Sequence, residues 1–325
     1  MGKTRIEWAT DTWNPVTGCS KVSPGCQNCY AERMAKRLGG RAGYPADNPF
    51  AVTLHPERLT EPLHWKKPRR IFPCSVSDIF HPDIPDRYRA AMFGIMAATP
   101  RHTYMVLTKR PEAALEWFNS IERRAERSAT LFHDDDLEWR RRHVLRAAVV
   151  NEGISDLPGM PDPAPWPLPN VWIGVTAEKQ EMADKRIPVL LDIPAAVRFV
   201  SVEPMLERVD IVKYLGHRTH QCKCGFHDTE LHLHLSNGKW FCPECVAVCT
   251  DRPGLDWVIG GPETGPKRRK ANMAWLDDLQ EQCIEAGVPF FLKAVELLGG
   301  IIKDNAELEH ILERPVRKFP EGQLS

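Results

Sequence analysis

Three cysteines close together near the start of the chain are the residues best suited to chemistry. Cys19, Cys26 and Cys29 follow a C-x6-C-x2-C spacing on a segment rich in Gly and Pro. Three thiolates can bind a four-iron cluster and leave one iron open to a small molecule. Structural zinc requires four ligands, and no other Cys or His precedes residue 55. A zinc site completed from further along the chain, or thiols that bind nothing, are the alternatives.

A second group of cysteines lies within residues 217–253. Two close thiol pairs flank a run of alternating apolar and polar residues that ends in an Asn-Gly turn signal, so the run predicts a β-hairpin. Such a pattern is typical of a zinc-ribbon-like mini-domain, which is too small for a hydrophobic core and is stabilised by a closed Zn²⁺ site. A second iron–sulfur cluster is the alternative, and a nearby histidine could replace the first cysteine. The predicted zinc ligands are Cys222, Cys224, Cys242 and Cys245.

Short apolar runs alternate with amphipathic stretches along most of the chain. The runs lack strict alternation, as expected of strands buried on both faces of a parallel sheet. Repeated strand and helix units predict a β/α barrel or a doubly wound sheet. The predicted strands cover residues 71–76, 103–107, 171–175, 197–202, 255–259 and 288–292, and the predicted helices cover 31–38, 85–98, 111–127 and 274–286.

A charged side chain follows each of the six predicted strands. The carboxyl ends of parallel strands lie at one edge of the sheet, where the chemistry of such folds is found. We therefore expect these side chains to converge on one opening. Each could instead be a solvated loop residue or a helix cap. The six residues are Asp78, Lys109, Glu178, Glu203, Glu263 and Lys293.

Composition limits the class of protein. The 325 residues are 42% hydrophobic and 26% charged, which excludes a disordered, collagenous or coiled-coil chain. The length predicts about two domains, or one large α/β barrel with insertions. The formal net charge is +0, so a nucleic-acid partner would have to bind a local basic patch. Without a membrane-length apolar run or signal peptide, we expect a cytoplasmic protein whose thiols stay reduced.

Two stretches interrupt the strand and helix pattern. One is charged and then rich in proline, which predicts an extended helix followed by a stiff linker. The other is the zinc-ribbon-like segment. The expected division is a barrel formed by residues 1–118, 170–216 and 254–300, a helical and Pro-rich insertion at 119–169, a zinc-ribbon-like insertion at 217–253, and a C-terminal tail at 301–325.

The first cysteine motif resembles that of the radical S-adenosylmethionine (SAM) enzymes. Those enzymes usually have C-x3-C-x2-C and a nearby aromatic residue, on the loop after the first strand of a partial β/α barrel. Here the aromatic residue is Tyr30, and the first spacing is six residues. The chain more closely resembles an uncharacterised, largely phage-associated radical-SAM-like family. The matching segments are 13–19, 26–32, 77–80, 107–111, 172–176, 201–204, 260–263 and 289–293.

The resemblance implies an α/β fold, a partial (β/α) barrel of the radical SAM type, into which the zinc-ribbon-like mini-domain predicted from the second cysteine group is inserted. It also implies that Cys19, Cys26 and Cys29 hold a [4Fe–4S] cluster whose open iron binds SAM. An electron from a reductase or flavodoxin-type donor would then cleave SAM to a radical that abstracts hydrogen from a substrate. SAM carries polar and cationic groups that need partners at the strand ends. The candidate contacts are Ser75, Ser77, Asp78, Glu203 and Tyr30, with Glu178 and Thr108 as further candidates.

Three basic clusters could bind phosphate. They lie at residues 66–70, at 140–143 and at Lys267, Arg268, Arg269 and Lys270, and the last follows a predicted strand-end loop directly. Solvated surfaces are the alternative, above all for the first two. We expect the third cluster to contact a nucleotide, or a base within DNA or RNA, that the enzyme modifies or repairs.

Two other functions are compatible with parts of the sequence. One is a zinc-containing protein that binds nucleic acid without catalysis and uses both cysteine groups structurally. The other is a metal-dependent hydrolase on a β/α barrel with the strand-end carboxylates as ligands, which the lack of a His-rich ligand set at the strand ends disfavours. The isolated Cys74 and Cys283 are interpreted as buried packing residues.

Overall fold

The computed structural model describes most of the expected barrel. The described residues are 4–132, 137–154, 165–216, 250–297, 300–312 and 316–320, with four short segments between 219 and 241. The predicted zinc ligands Cys222, Cys224, Cys242 and Cys245 lie outside the described residues, as does most of the Pro-rich linker.

One sheet of seven parallel strands curls into a half-barrel, with the strands side by side in chain order. Six of them fall on the six predicted apolar runs, and one further strand precedes the cysteines. The chain therefore has the mixed α/β architecture of a partial β/α barrel. The strands are β1 (Asp11–Trp13), β2 (Arg70–Pro73), β3 (Thr103–Thr108), β4 (Val171–Thr176), β5 (Val197–Val202), β6 (Trp257–Gly260) and β7 (Phe290–Leu292).

Seven helices accompany the sheet in the described part of the chain. All four predicted helices are present, as α1, α2, α3 and α6. Helix α3 runs past residue 119, where the first insertion was expected to begin, and α4 packs against α2 through the buried Leu145 and Val149. The helices are α1 (Tyr30–Leu38), α2 (Asp86–Ala97), α3 (Pro111–Phe132), α4 (Leu137–Asn151), α5 (Gln180–Leu191), α6 (Met273–Glu285) and α7 (Asn305–Leu312).

The two faces of the sheet belong to separate hydrophobic cores. Side chains alternate along a strand, so Tyr104 and Val106 of β3 pack in the core shared with the helices, whereas Met105 between them faces the other way. The second core fills the inside of the half-barrel with large rings. Its members on the strands include Met105, Trp172, Phe199, Trp257 and Phe291.

Residues near both ends of the chain cover this inner core. Trp8 contacts Phe72 with ring centroids 4.7 Å apart, and Phe319 lies 5.2 Å from Trp257. The indole nitrogen of Trp257 donates a hydrogen bond to the carbonyl of Lys318 at 2.8 Å. Part of the expected C-terminal tail is thus packed into the half-barrel, and aromatic rings fill the interior below the carboxyl ends of the strands.

The remaining strands are short. His234–Ser236 pairs antiparallel with Lys239–Phe241, on either side of the predicted Asn-Gly turn. Thr219–Gln221 pairs with both His227–Asp228 and Thr250–Arg252. Two further pairs join Val16–Thr17 to Thr53–Leu54 and Val295–Leu297 to Gly300–Ile302. Among the described helices, none has both the length and the apolar character that crossing a membrane requires.

Replacing Gly174 with alanine tests the packing of the inner core. Gly174 lies on β4, and a Cβ atom at this position would overlap the ring of Phe199, which is fully buried. Because a packed core cannot absorb an added methyl group, we expect Gly174→Ala to lower the free energy of unfolding by about 2 kcal/mol in urea. Gly300→Ala, where the nearest atom would be 3.5 Å away, is the control and should change it by less than about 0.5 kcal/mol. Equal effects would contradict this packing.

Candidate functional site

A cavity of about 260 Å³ opens at the carboxyl ends of the strands. Its floor is apolar and includes Ile6, Trp8, Phe72 and Leu107, while its walls carry thiols, hydroxyls and charged groups. The structure thus brings the first cysteine motif and the carboxyl ends of the strands to one place. The predicted site residues that line the cavity are Cys19, Cys26, Cys29, Tyr30, Ser75, Ser77, Asp78, Thr108, Lys109, Glu203, Glu263 and Lys293.

Residues 18–29, which we term the cysteine loop, form one wall of the cavity. All three thiols are partly exposed and free of disulfides, and Cys29 immediately precedes α1. Gly18 has φ +82°, and any side chain there would overlap the carbonyl of Ala51, so the loop enters the site through a backbone conformation that favours glycine. Within the described residues, no three His, Cys, Asp or Glu side chains converge tightly enough to hold a single metal ion.

Asp78 and Arg110 hold the start of the cysteine loop. The Asp78 carboxylate accepts hydrogen bonds from Thr108 Oγ1 at 2.8 Å and from Arg110 Nη1 at 3.0 Å. The same guanidinium lies 3.6 Å from Cys19 Sγ and donates to the Ser20 carbonyl at 3.0 Å. Burial and the charge of Asp78 raise the pKa of the Cys19 thiol, and Arg110 opposes this. Arg110 is therefore the group that favours a thiolate here.

Glu178 and Arg186 hold the middle of the loop from behind. The Glu178 side chain is 0% exposed; its carboxylate lies 2.9 Å from Arg186 Nη1 and accepts a hydrogen bond from the Gly25 amide at 3.1 Å. Burial raises the pKa of Glu178, but a hydrogen bond from Ser23 and the charges of Arg186 and Lys109 outweigh it, so the pKa is lower than usual. Glu178 is ionised and supports the loop from outside the cavity.

Glu263 and Arg269 hold the end of the loop. Arg269 Nη2 and Nε donate to the two carboxylate oxygens of Glu263 at 2.7 and 3.0 Å, and Arg269 Nη1 donates to the Pro24 carbonyl at 3.2 Å. Asn28 Nδ2, between two of the cysteines, also donates to Glu263 at 3.0 Å. Burial raises the pKa of Glu263, and the hydrogen bonds from Arg269 and Asn28 more than offset it, so this pKa is also lowered.

The predicted serines and tyrosine form hydrogen bonds at and around the start and end of the cysteine loop. Ser77 Oγ donates to the Gly18 carbonyl at 2.6 Å, and Ser75 Oγ donates to Asn14 Oδ1 at 3.1 Å. The Tyr30 hydroxyl donates to the Ser75 carbonyl. These side chains border the cavity while their hydrogen bonds fix its walls.

Glu203 and Lys293 form a separate ion pair that faces the cavity. Lys293 Nζ lies 2.9 Å from Glu203 Oε1, and Ser201 Oγ donates to the other carboxylate oxygen at 3.2 Å. Burial lowers the pKa of Lys293, but the carboxylate beside it more than offsets this and raises it. Lys293 therefore stays protonated, and the pair presents both a donor and an acceptor to whatever enters the cavity.

Five of the six charged residues expected at the strand ends line the cavity, and Glu178 lies outside it. Asp78, Glu178 and Glu263 also support the cysteine loop, whereas Glu203 and Lys293 pair with each other. Sequence reasoning did not identify the arginine partners Arg110 and Arg186. The signal for Arg110 was its position two residues after the end of β3, and Arg186 lies two turns along the helix that follows Glu178.

The four consecutive basic residues predicted to bind phosphate, 267–270, differ in their surroundings. Arg269 is engaged with Glu263, and Arg268 Nε lies 3.2 Å from Glu296 Oε1. Both guanidinium groups are thus used in contacts within the chain. Lys267 and Lys270 are exposed.

Comparison with known proteins yields one match. A family model described as "Protein of unknown function (DUF5131)" matches residues 3–308, nearly the whole chain. No curated protein and no solved structure matches.

Replacing Glu178 with glutamine tests whether the buried pair positions the loop. The change leaves the Arg186 charge buried without its partner, so we expect Glu178→Gln to lower the free energy of unfolding by about 3 kcal/mol. We also expect Cys26 to react faster with a thiol reagent, because the Gly25 amide loses its charged acceptor. Glu116→Gln, which breaks an exposed pair with Arg123, is the control and should have little effect. Similar results for the two variants would contradict this role.

The lowered pKa values predict an acid-sensitive loop. Glu178 and Glu263 titrate below their ordinary value of 4.5 in the folded protein, so their stabilising contribution is complete above 4.5. It is lost as the pH falls through the lower folded values. Urea unfolding at decreasing pH should show a steeper loss of stability below 4.5 for the wild type than for Glu178→Gln. Parallel curves would show that Glu178 makes no such contribution.

Proposed function

We propose that this chain, which belongs to the DUF5131 family, is a radical SAM enzyme that acts on a nucleotide or nucleic-acid base. One observation carries the proposal. Three unpaired thiols on a single loop line a cavity at the carboxyl ends of a half-barrel, and ion pairs from three strand ends hold that loop. This is where β/α folds place their chemistry.

The donor set suits an iron–sulfur cluster. Cys19, Cys26 and Cys29 are free thiols that border one cavity, and thiolates are the ligands such clusters take. A four-iron cluster binds each cysteine at a different iron, so the three sulfurs need not converge on one point. A single zinc ion would require that convergence, at about 2.3 Å from each sulfur. Among the described residues no fourth Cys or His lines the cavity, so the set suits a cluster with one open iron better than a closed zinc site.

Arg110 would influence the electronic properties of a cluster held at Cys19. Its guanidinium lies 3.6 Å from the sulfur and is fixed by Asp78. Hydrogen bonds to the sulfur ligands, together with nearby positive charge, stabilise the reduced state of an iron–sulfur centre. The same contact favours the thiolate that a metal ligand must become.

The rest of the cavity offers partners for SAM. When bound, a reduced [4Fe–4S] cluster supplies the electron that cleaves SAM to methionine and a 5′-deoxyadenosyl radical, which takes a hydrogen atom from the substrate. Glu203 would accept hydrogen bonds from the amino or ribose groups of SAM. Lys293 would balance the negative charge of Glu203. The apolar floor around Trp8 and Phe72 would exclude water from the reacting groups. A reductase or flavodoxin-type protein is the proposed electron donor.

Anaerobic reconstitution with iron and sulfide tests this proposal. We expect a brown protein with about four iron atoms per chain in the site, which consumes SAM when reduced by dithionite. The variant with Cys19, Cys26 and Cys29 all changed to alanine should lose both the colour and SAM cleavage. Cys283→Ala, which removes a buried packing thiol, is the control and should keep both. Colourless protein containing only zinc would instead indicate the non-catalytic alternative.

Changing Arg110 to methionine tests its contact with the cluster ligand. Because the hydrogen bond and the charge stabilise the reduced state, we expect the midpoint potential of the reconstituted protein to become more negative, with its iron content retained. Arg110→Lys, which keeps the charge, should shift the potential less. Equal potentials in the wild type and Arg110→Met would rule out this role, and redox titration followed by electron paramagnetic resonance measures it.

A further inference from the structure

Two basic segments that are distant in sequence lie side by side next to the cysteine loop. Asn28 Nδ2 donates to the carbonyl of Lys267 at 2.9 Å, which joins the loop to the 267–270 cluster. The guanidinium of Arg33 on α1 lies against Gly265, where a Cβ atom would be 2.8 Å from Arg33 Nη2. The basic side chains of α1 therefore continue the surface that begins at Lys267.

Three arginines repeat at an interval of four residues along this surface. Arg33 and Arg37 lie on α1, about 6 Å apart along its axis, and Arg41 follows the helix and donates to the Arg37 carbonyl at 3.1 Å. All three are exposed, and no carboxylate of the described residues forms an ion pair with them. Lys36 on the same helix differs, because it pairs with Glu32 at 2.8 Å.

An aromatic ring lies where this surface meets the cavity. Tyr30 begins α1, the residue is 47% exposed, and it borders the cavity. Its hydroxyl donates to the Ser75 carbonyl, which fixes the ring at the opening. A fixed, exposed ring beside a row of cations is the combination with which proteins bind single-stranded nucleic acids, because bases stack on the ring and phosphates follow the cations.

We propose that Arg33, Arg37, Arg41, Lys267 and Lys270 bind the phosphates of a single-stranded nucleic acid, with one base stacked on Tyr30 at the entrance to the cavity. The formal net charge is +0, so attraction for a polyanion has to come from a local surface such as this one. A cavity of about 260 Å³ admits a base and excludes a duplex. Only the identification of that base as the substrate rests on the proposed function; the binding itself does not.

An acidic protein, such as an electron carrier, is the competing occupant of a basic surface. Charge alone would serve either partner. The ring of Tyr30 favours nucleic acid, because it borders a cavity that can take a base, and a base can stack on the ring there. The experiment therefore includes an acidic polypeptide.

Fluorescence anisotropy of a labelled oligothymidylate, titrated with the full-length protein over a range of salt concentrations, tests the proposal. We expect Arg33→Gln, Arg37→Gln and Arg41→Gln together to weaken binding at least tenfold and to reduce the salt slope by about 2, or roughly 0.7 for each phosphate contact. Lys267→Gln with Lys270→Gln should weaken binding less, and Tyr30→Leu about tenfold with the salt slope unchanged.

A matched pair of exposed lysines supplies the control. Lys66→Gln with Lys67→Gln removes two charges from another basic cluster and should leave the affinity unchanged. Equal losses in this control and in the arginine variant, or binding of polyglutamate as tight as that of the oligonucleotide, would overturn the proposal. Oligonucleotide binding that persists in a protein unable to assemble a cluster would support this surface while contradicting the proposed enzyme.

Discussion

The cysteine loop depends on carboxylates that are stable inside the protein only because arginines and loop groups pair with them. Glu178 shows this most clearly, since its side chain is fully buried and would be costly to ionise without Arg186 and the Gly25 amide. A buried ion pair contributes little net stability, but removing one partner strongly lowers the free energy of unfolding because the other charge stays buried and unpaired. The loop and the half-barrel are therefore coupled, because a loop that moves away leaves charged groups without partners.

The charged groups at the strand ends divide according to what they contact. Asp78, Glu178 and Glu263 follow β2, β4 and β6, and each holds the loop directly or through its arginine partner; one of those partners, Arg110, follows β3. Glu203 and Lys293 follow β5 and β7 and pair with each other beside the cavity. The curled sheet thus supports the loop from several strand ends and leaves the ends of β5 and β7 to contact a ligand.

Most strands and helices could be predicted from the local sequence pattern. The contacts that were missed join residues that are distant in the sequence. Six strands could be predicted because each lies in a run of mostly apolar residues, whereas β1 consists of Asp11, Thr12 and Trp13 and has no such run. The cover of the inner core was missed, because Trp8 and Phe319 are single aromatic residues from opposite ends of the chain. Sequence also cannot show that Arg269 faces inward while its neighbour Lys270 is exposed, since that depends on where Glu263 lies.

The basic segment 267–270 connects the proposed nucleic-acid-binding surface to the cysteine loop. Arg269 binds Glu263 and the Pro24 carbonyl of the cysteine loop, and Lys267 is bound through its backbone to Asn28 of the same loop. The side chain of Lys267 remains exposed on the outer surface. A phosphate bound at Lys267 would lie next to Asn28, which is between Cys26 and Cys29 in the sequence. The backbone of Lys267 already holds this part of the loop through its hydrogen bond with Asn28. Recognition at this surface would therefore place a substrate relative to the cysteine loop without requiring the loop to move.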